Sequence, residues 1–175
     1  MNVVHIVGCG LIGSGLAFKI CKYGLCNNVH VYDNDIVEKE YFPFMKSLAQ
    51  MPKVDAIDAV VTSLSTKSRI YPHNQKVTGK KNFAGGISID CRDNKTTNIN
   101  CDIRLSLDGP IFIIDCRPEV GETTYSEYIL NQDPLYSDLA LSIAVNFMFK
   151  VYSSEFHDRI VFMLDDFLTC SMNLI

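Results

Sequence analysis

Val3-Val4-His5-Ile6-Val7-Gly8-Cys9-Gly10-Leu11-Ile12-Gly13 is the stretch whose reading decides the fold. Residues 3–7 are a short, mostly apolar run that ends in glycine, the pattern of a strand covered on both faces in a parallel sheet. Ile12, Leu16 and Ile20 then recur every four residues, so a helix carries them on one side toward that sheet. Gly24 and Asn27-Asn28 end it. Residues 29–32 predict a second strand, closed by Asp33 with Asp35 two residues on, and the whole is a βαβ unit. In such a turn Gly8 permits the tight bend, Gly10 lets backbone N–H groups approach a phosphate, and Gly13 lets the helix pack closely on the strand. Asp33 lies about twenty residues further on, where a carboxylate accepts hydrogen bonds from ribose hydroxyls. In this context the glycines favour nucleotide binding over a purely structural turn. They do not choose between NAD and ATP, which both present an adenosine with a free 2′-hydroxyl.

Downstream, the apolar spacing predicts a helix over 54–64, a strand or extended stretch over 69–77 and a strand over 87–89 that ends at Asp90. Ile99, Ile103 and Leu107 space a further helix that Gly109-Pro110 terminates. A buried strand follows over 111–114, then Asp115 and Cys116, a helix over 139–150 and a last strand over 160–164. Strand and helix alternate, which implies a doubly wound, mostly parallel sheet with helices on both faces. One domain is expected over 1–175, its core at 3–115 and its C-terminal helix and strand within 135–170. Residues 118–134 are polar and turn-rich, long for an unstructured loop, and are read as a functional crossover.

Composition narrows the class. A chain of 175 residues with 47% hydrophobic residues buries one sizeable core and not two. The net charge is −4 and the 16 basic residues are scattered, so nucleic acid is disfavoured as a partner. The 7 cysteines are odd in number and form no Cys-x-x-Cys pair, and the N-terminus has no signal pattern; reduced thiols and a cytoplasmic location are expected. No apolar run approaches the ~18 residues that span a bilayer.

Asp33-Asn34-Asp35-Ile36-Val37-Glu38 resembles the Asp-x-Asp-x-Val-x segment of the ThiF/MoeB/HesA and ubiquitin-activating family. Met51-Pro52-Lys53-Val54-Asp55-Ala56 is similar to that family's x-Pro-Lys-x-x-Ala helix start, and Tyr71-Pro72-His73 sits where it has an Asn-Pro pair. Asp90-Cys91-Arg92-Asp93-Asn94 resembles its Asp-Cys-x-Asp-Asn signature at a strand end. The resemblance covers about residues 3 to 115 in consistent order. It implies a Rossmann-like fold, ATP and Mg²⁺ as cofactors, and adenylation of the C-terminal carboxylate of a ubiquitin-like protein, sulfur-carrier protein or peptide by a homodimer. Under it Gly8, Gly10, Leu11, Ile12, Gly13, Asp33 and Asp35 hold the nucleotide, Lys53 reaches the phosphates and Asp93 carries Mg²⁺, a role suited to a carboxylate beside phosphate oxygens. Asp90 is read as structural, bonding the turn, and Cys91 as buried.

The sequence also departs from this pattern. Phe44 stands where the family has a phosphate-contacting arginine, and Lys46 is the nearest substitute, a point charge without the planar fork. The cluster Tyr41-Phe42-Pro43-Phe44 either covers the nucleotide, fills the space left, or binds a partner. The family's N-terminal helix with its arginine is not found ahead of Val3, and no Cys-x-x-Cys zinc pairs occur. Cys116 and Cys170 are the thiols to test for thioester formation. Arg92 and Arg117 contact either phosphate, the acceptor, or only a surface partner. His5 and His30 are read as satisfied strand histidines, His73 and His157 as isolated in turns. Two rival readings stand beside the enzyme: a non-catalytic nucleotide-binding subunit that scaffolds an active partner, and an NAD-dependent oxidoreductase.

Overall fold

A computed structural model describes residues 2–38, 44, 46–78, 83–92, 99–116, 134–151 and 159–167. The first strand, β1, is Val3–Val7, and the helix α1 is Leu11–Lys22. Asn28–Asp33 forms β2, Lys53–Ser63 forms α2, and Arg69–Asn74 forms β3. Pro52 stands just ahead of α2, and Asp55 lies in its first turn, where a carboxylate is favourable. Ile87–Asp90 is β4, Ile103–Asp108 β5, Ile111–Cys116 β6, Pro134–Val151 the helix α3, and Arg159–Met163 β7.

These strands make one sheet in the order β3-β2-β1-β4-β5-β6-β7. The first five in chain order are parallel, and β5–β6 and β6–β7 are antiparallel. The winding runs outward from β1 to β3, then jumps back to the other side of β1. The reversal puts a crevice at the carboxyl ends of β1 and β4, the place where open α/β sheets bind ligands.

Alternation along the strands sorts the two faces. Val4 and Ile6, Val29 and Val31, Ile87 and Ile89 face the helices, where they pack with Leu16, Ile20, Val54, Ile57, Ala144 and Met148 in the main core. Each fully buried aliphatic side chain contributes about 1.5–3 kcal/mol there. The helices α1, α2 and α3 share this face, since α1 packs against both α2 and α3. The opposite face carries a smaller cluster of Val7, Tyr32, Val77, Ile99 and Cys101, with Phe83 against it. Among the described residues its cover comes from Val77 and Phe83, ahead of β4, and from Ile99 and Cys101, ahead of β5.

The helix expected through Ile99, Ile103 and Leu107 is corrected: residues 103–108 are strand β5. A spacing of four satisfies a period of two as well, and Ile103, Leu105 and Leu107 alternate with Arg104 and Ser106. Asp108-Gly109-Pro110-Ile111 closes the hairpin to β6 rather than ending a helix. Only Ile89↔Ile103 and Asp90↔Arg104 pair β4 with β5, so the rest of β5, with β6 and β7, rises past the carboxyl ends of β4 and β1 as a wall beside the crevice.

His73 is likewise not isolated. Its ring stacks on Tyr32 at 4.3 Å, and its Nε2 lies 3.0 Å from Nδ1 of His30, which stacks in turn on His5 and Tyr71. A hydrogen bond between two imidazoles needs one ring nitrogen to accept, so full protonation of both rings breaks it. Burial, then the neighbouring His5 and His73, push His30 below its ordinary value of 6.5. The unfolded chain thus takes up this proton first. Stability from His30 is complete above about 6.5 and is lost as pH falls through the lowered value. Thermal unfolding between pH 7 and pH 5 should show a smaller loss of Tm in His30→Phe than in the parent; equal losses would refute the coupling.

Candidate active site

The crevice is built first by the turn after β1. Gly8 has φ +92°, a conformation in which a side chain is strained, and a Cβ there would meet the backbone of Arg92 at 2.9 Å. The turn is tied to both flanking strands: Gly8 N–H donates to the Tyr32 carbonyl at 2.8 Å, and Cys91 N–H donates to the Val7 carbonyl at 2.8 Å. Gly10 caps α1 without any side-chain bond, and no acidic residue lies in the first turn. The first N–H groups of a helix lack intrahelical acceptors and carry partial positive charge, so this end suits an anion. Among the described residues, a Cβ on Gly10 would meet nothing within 4 Å.

Asp33 ends β2 beside this turn. One of its carboxylate oxygens accepts from Cys9 N–H at 2.6 Å and the other from Asp35 N–H at 2.8 Å. The acid thus braces the glycine turn directly, and each oxygen keeps a lone pair for a further donor. Lys53 opens α2 with its backbone N–H on the Asp35 carbonyl at 2.9 Å, and its ammonium lies 3.3 Å from the Asp35 carboxylate. That ammonium is near enough to act on the Cys9 thiol, although burial, followed by Asp33, holds this thiol well above its usual range. Cys9 is accordingly a packing residue rather than a nucleophile.

On the other side of the crevice Asp90, the last residue of β4, is fully buried. It accepts from Arg92 through backbone N–H at 3.2 Å, Nε at 2.9 Å and one terminal nitrogen at 3.0 Å. Asp90 therefore bonds the turn, clamped by the Arg92 guanidinium. Arg104, the register partner of Asp90 on β5, is the residue that the sequence reading missed: taken as part of a helix, it had no place at the sheet edge.

The expected site residues divide accordingly. Gly8, Gly10, Leu11, Ile12, Gly13, Asp33, Asp35 and Lys53 come together around the end of β1. Lys46 is exposed on a short 3-10 turn, Lys46–Leu48. Asp93 lies outside the described residues, as do Arg117, His157, Cys170 and 118–133. Cys91 and Cys116 are buried, and the six described cysteines are all free thiols. Burial closes Cys116 to thioester chemistry in this conformation. Among the described residues, no group of three or more His, Cys, Asp or Glu is placed to hold a metal, and no helix is long and apolar enough to cross a membrane.

Phe44 fills space in the main core at 3% exposure rather than covering the crevice. Phe44→Arg should therefore lower stability by about 3 kcal/mol or more, because it drives an unpaired charge into an apolar site. Urea denaturation checks this, and a variant as stable as the parent would mean that position 44 reaches solvent.

Solved structures share this architecture. Escherichia coli MccB crystallised with ATP superposes with a TM-score of 0.65 at 12% identity, covering 85% of this chain and 55% of that one. MccB alone gives 0.67 at 12% identity, covering 91% and 58%, and PaaA gives 0.63 at 13% identity, covering 95% and 62%. MccB is described as a microcin C7 biosynthetic enzyme and was also crystallised with N-formylated MccA. The chain spans less than two thirds of the length of these neighbours, and at such identities the likeness establishes the fold. No family model matches the sequence, and no curated protein matches it by sequence.

Proposed function

We propose that this chain binds MgATP across the β1/β4 crevice and adenylates the C-terminal carboxylate of a peptide, ubiquitin-like or sulfur-carrier acceptor. The observation that carries the reading is the turn from Gly8 to Gly13, which ends a central strand where the winding reverses, opens a helix without a side-chain cap, and has no described residue within 4 Å of where a Cβ on Gly10 would lie. Bound there, ATP supplies an electrophilic α-phosphorus. The chain's own residues bind and orient. Backbone N–H groups of Gly10 to Gly13 donate to phosphate oxygens, and Asp33 takes the ribose hydroxyls on the lone pairs that Cys9 and Asp35 leave. Lys53 offsets negative charge as pyrophosphate departs, and by resemblance Asp93 holds Mg²⁺ and the chain pairs with a second copy. The acceptor carboxylate is ionised at neutral pH, so no side chain has to remove a proton from it. Support comes from MccB, which was crystallised with ATP and, separately, with AMPCPP and MccA together.

One observation favours a second reading, a nucleotide-binding subunit without turnover that scaffolds an active relative. Phe44 lies in the core where the resemblance calls for an arginine on the phosphates. Thermal shift with ATP against NAD, followed by pyrophosphate–ATP exchange with C-terminal-acid peptides and carrier proteins, separates the readings. Stabilisation by ATP with exchange supports the enzyme. ATP binding with no exchange for any acceptor supports the scaffold, and preference for NAD overturns both.

A further inference from the structure

A second concavity lies at the far end of the sheet from the glycine turn. The helix α2 starts at Lys53 beside the crevice and runs away from it to Ser63, while β3 starts at Arg69 and runs back until Asn74 falls opposite Asp33. Between the last turns of α2 and the start of β3 is an open cleft of about 340 Å³. The buried Val61 and Ile70 make its floor, and the more exposed Asp58 and Arg69 face it from the helix and from the strand. Ser68 fixes the lining in place: its hydroxyl donates to the Cys26 carbonyl at 2.6 Å, and the Thr66 hydroxyl donates to the Ser68 carbonyl at 3.3 Å. Among the described residues no side chain bonds to or pairs with the Arg69 guanidinium, whereas Arg92, Arg104 and Arg159 each face a carboxylate. Asp58 receives only a 3.5 Å contact from the Thr62 hydroxyl. The helix α1 ends with Lys19 and Lys22 in its last turn, but α2 has no basic residue there, so the partial negative charge at its end adds to that of Asp58. Lys67, in the connection to β3, does not line the cleft.

We infer that this cleft binds a small zwitterion of the amino acid class with an apolar side chain. Its carboxylate lies on the planar fork of Arg69, which fits such a group through two charge-assisted hydrogen bonds. Its ammonium lies against Asp58 and the carbonyl end of α2, and its apolar part covers Val61 and Ile70. The two charges decide the class, because Asp58 repels a plain anion and Arg69 repels a plain cation. Size agrees. A volume of about 340 Å³ stands at the lower end of the roughly 300–1,000 Å³ usual for ligand sites, enough for an amino acid and too small for a nucleotide with its triphosphate. The 11 residues of α2 set this cleft roughly 16 Å from Lys53 at 1.5 Å per residue. It is therefore separate from the nucleotide crevice, and the inference stands apart from the adenylation reading.

The test follows the backbone amide resonances of Thr66, Ser68 and Ile70 in full-length protein during titration with L-leucine, L-leucinamide, 4-methylpentanoate and inorganic phosphate. L-leucine should move them saturably. L-leucinamide lacks the carboxylate and 4-methylpentanoate lacks the ammonium, so each should bind at least tenfold more weakly. Arg69→Gln should weaken L-leucine at least tenfold and leave L-leucinamide unchanged, and Asp58→Asn should weaken L-leucine likewise and leave 4-methylpentanoate unchanged. Both side chains reach solvent, so folding should survive, and the comparison of the four probes on the parent protein decides the matter even where a variant folds poorly. No saturable movement with L-leucine, or half-ligands that bind as well as the whole, overturns the inference. So does tighter binding of phosphate, which would make Arg69 a contact for anions in general, and so does movement centred on Gly10 to Gly13, which would put the ligand in the crevice instead.

Discussion

Gly13→Ala is expected to lower stability by about 3 kcal/mol or more and to abolish nucleotide binding. A Cβ at position 13 would sit 1.7 Å from the Gly8 carbonyl oxygen, with the Cys91 side chain a further 3.3 Å contact. The obstacle is backbone, so no side chain can swing away, and α1 has to lift off the end of β1. That movement would also pull the helix start away from any phosphate. Gly10→Ala is the informative partner. Its Cβ would meet none of the described residues within 4 Å, and the residue has φ −68°, which alanine adopts freely. Folding should be unimpaired and is favoured by about 0.4–1 kcal/mol through the stiffer unfolded chain. Any loss of ATP affinity in Gly10→Ala then reports a phosphate over that residue and not a damaged fold. Denaturant midpoints and ATP titrations of both variants check the pair, and a Gly10→Ala protein with unchanged affinity would move the triphosphate off this turn.

The unit from β1 to β2 is legible in sequence because local rules agree there: a buried apolar run, glycines where the backbone must come close, a four-residue stripe, then Asp33. What is not legible depends on register. Ile103 and Leu107 fit strand and helix alike, Leu105 fits only the strand, and the pairing of Asp90 with Arg104 shows that the strand applies. His73 reads as a turn residue until β3 is laid beside β2, whereupon it falls opposite Tyr32. The aromatic and charged second face has the same origin. His5, His30 and Tyr71 occupy one row, Val7, Asp90 and Arg104 another, and each row draws on strands far apart in the chain. Phe44 shows a different limit. A motif comparison marks where an arginine is missing, but the core contact that takes its place is a property of packing.

Asp90→Asn tests the opposite side of the crevice. The substitution keeps size and shape yet removes the carboxylate that, among the described residues, lies against both Arg92 and Arg104. Removing one partner of a buried charge cluster typically costs about 3–5 kcal/mol, because the remaining charges stay buried without compensation, and a loss of that order is expected in urea denaturation. Arg104→Met behaves differently. Asp90 retains its bonds to Arg92, and an apolar side chain replaces a guanidinium whose Nε is unmet, so stability should stay within about 1 kcal/mol of the parent. In the double variant the methionine should recover part of the Asp90→Asn loss, a coupling that independent sites would not show. If Asp90→Asn is neutral, the cluster does not hold the strand ends together. If Arg104→Met is as damaging as Asp90→Asn, then Arg104 and Asp90 hold the strand ends as one unit and the unmet Nε costs the fold little.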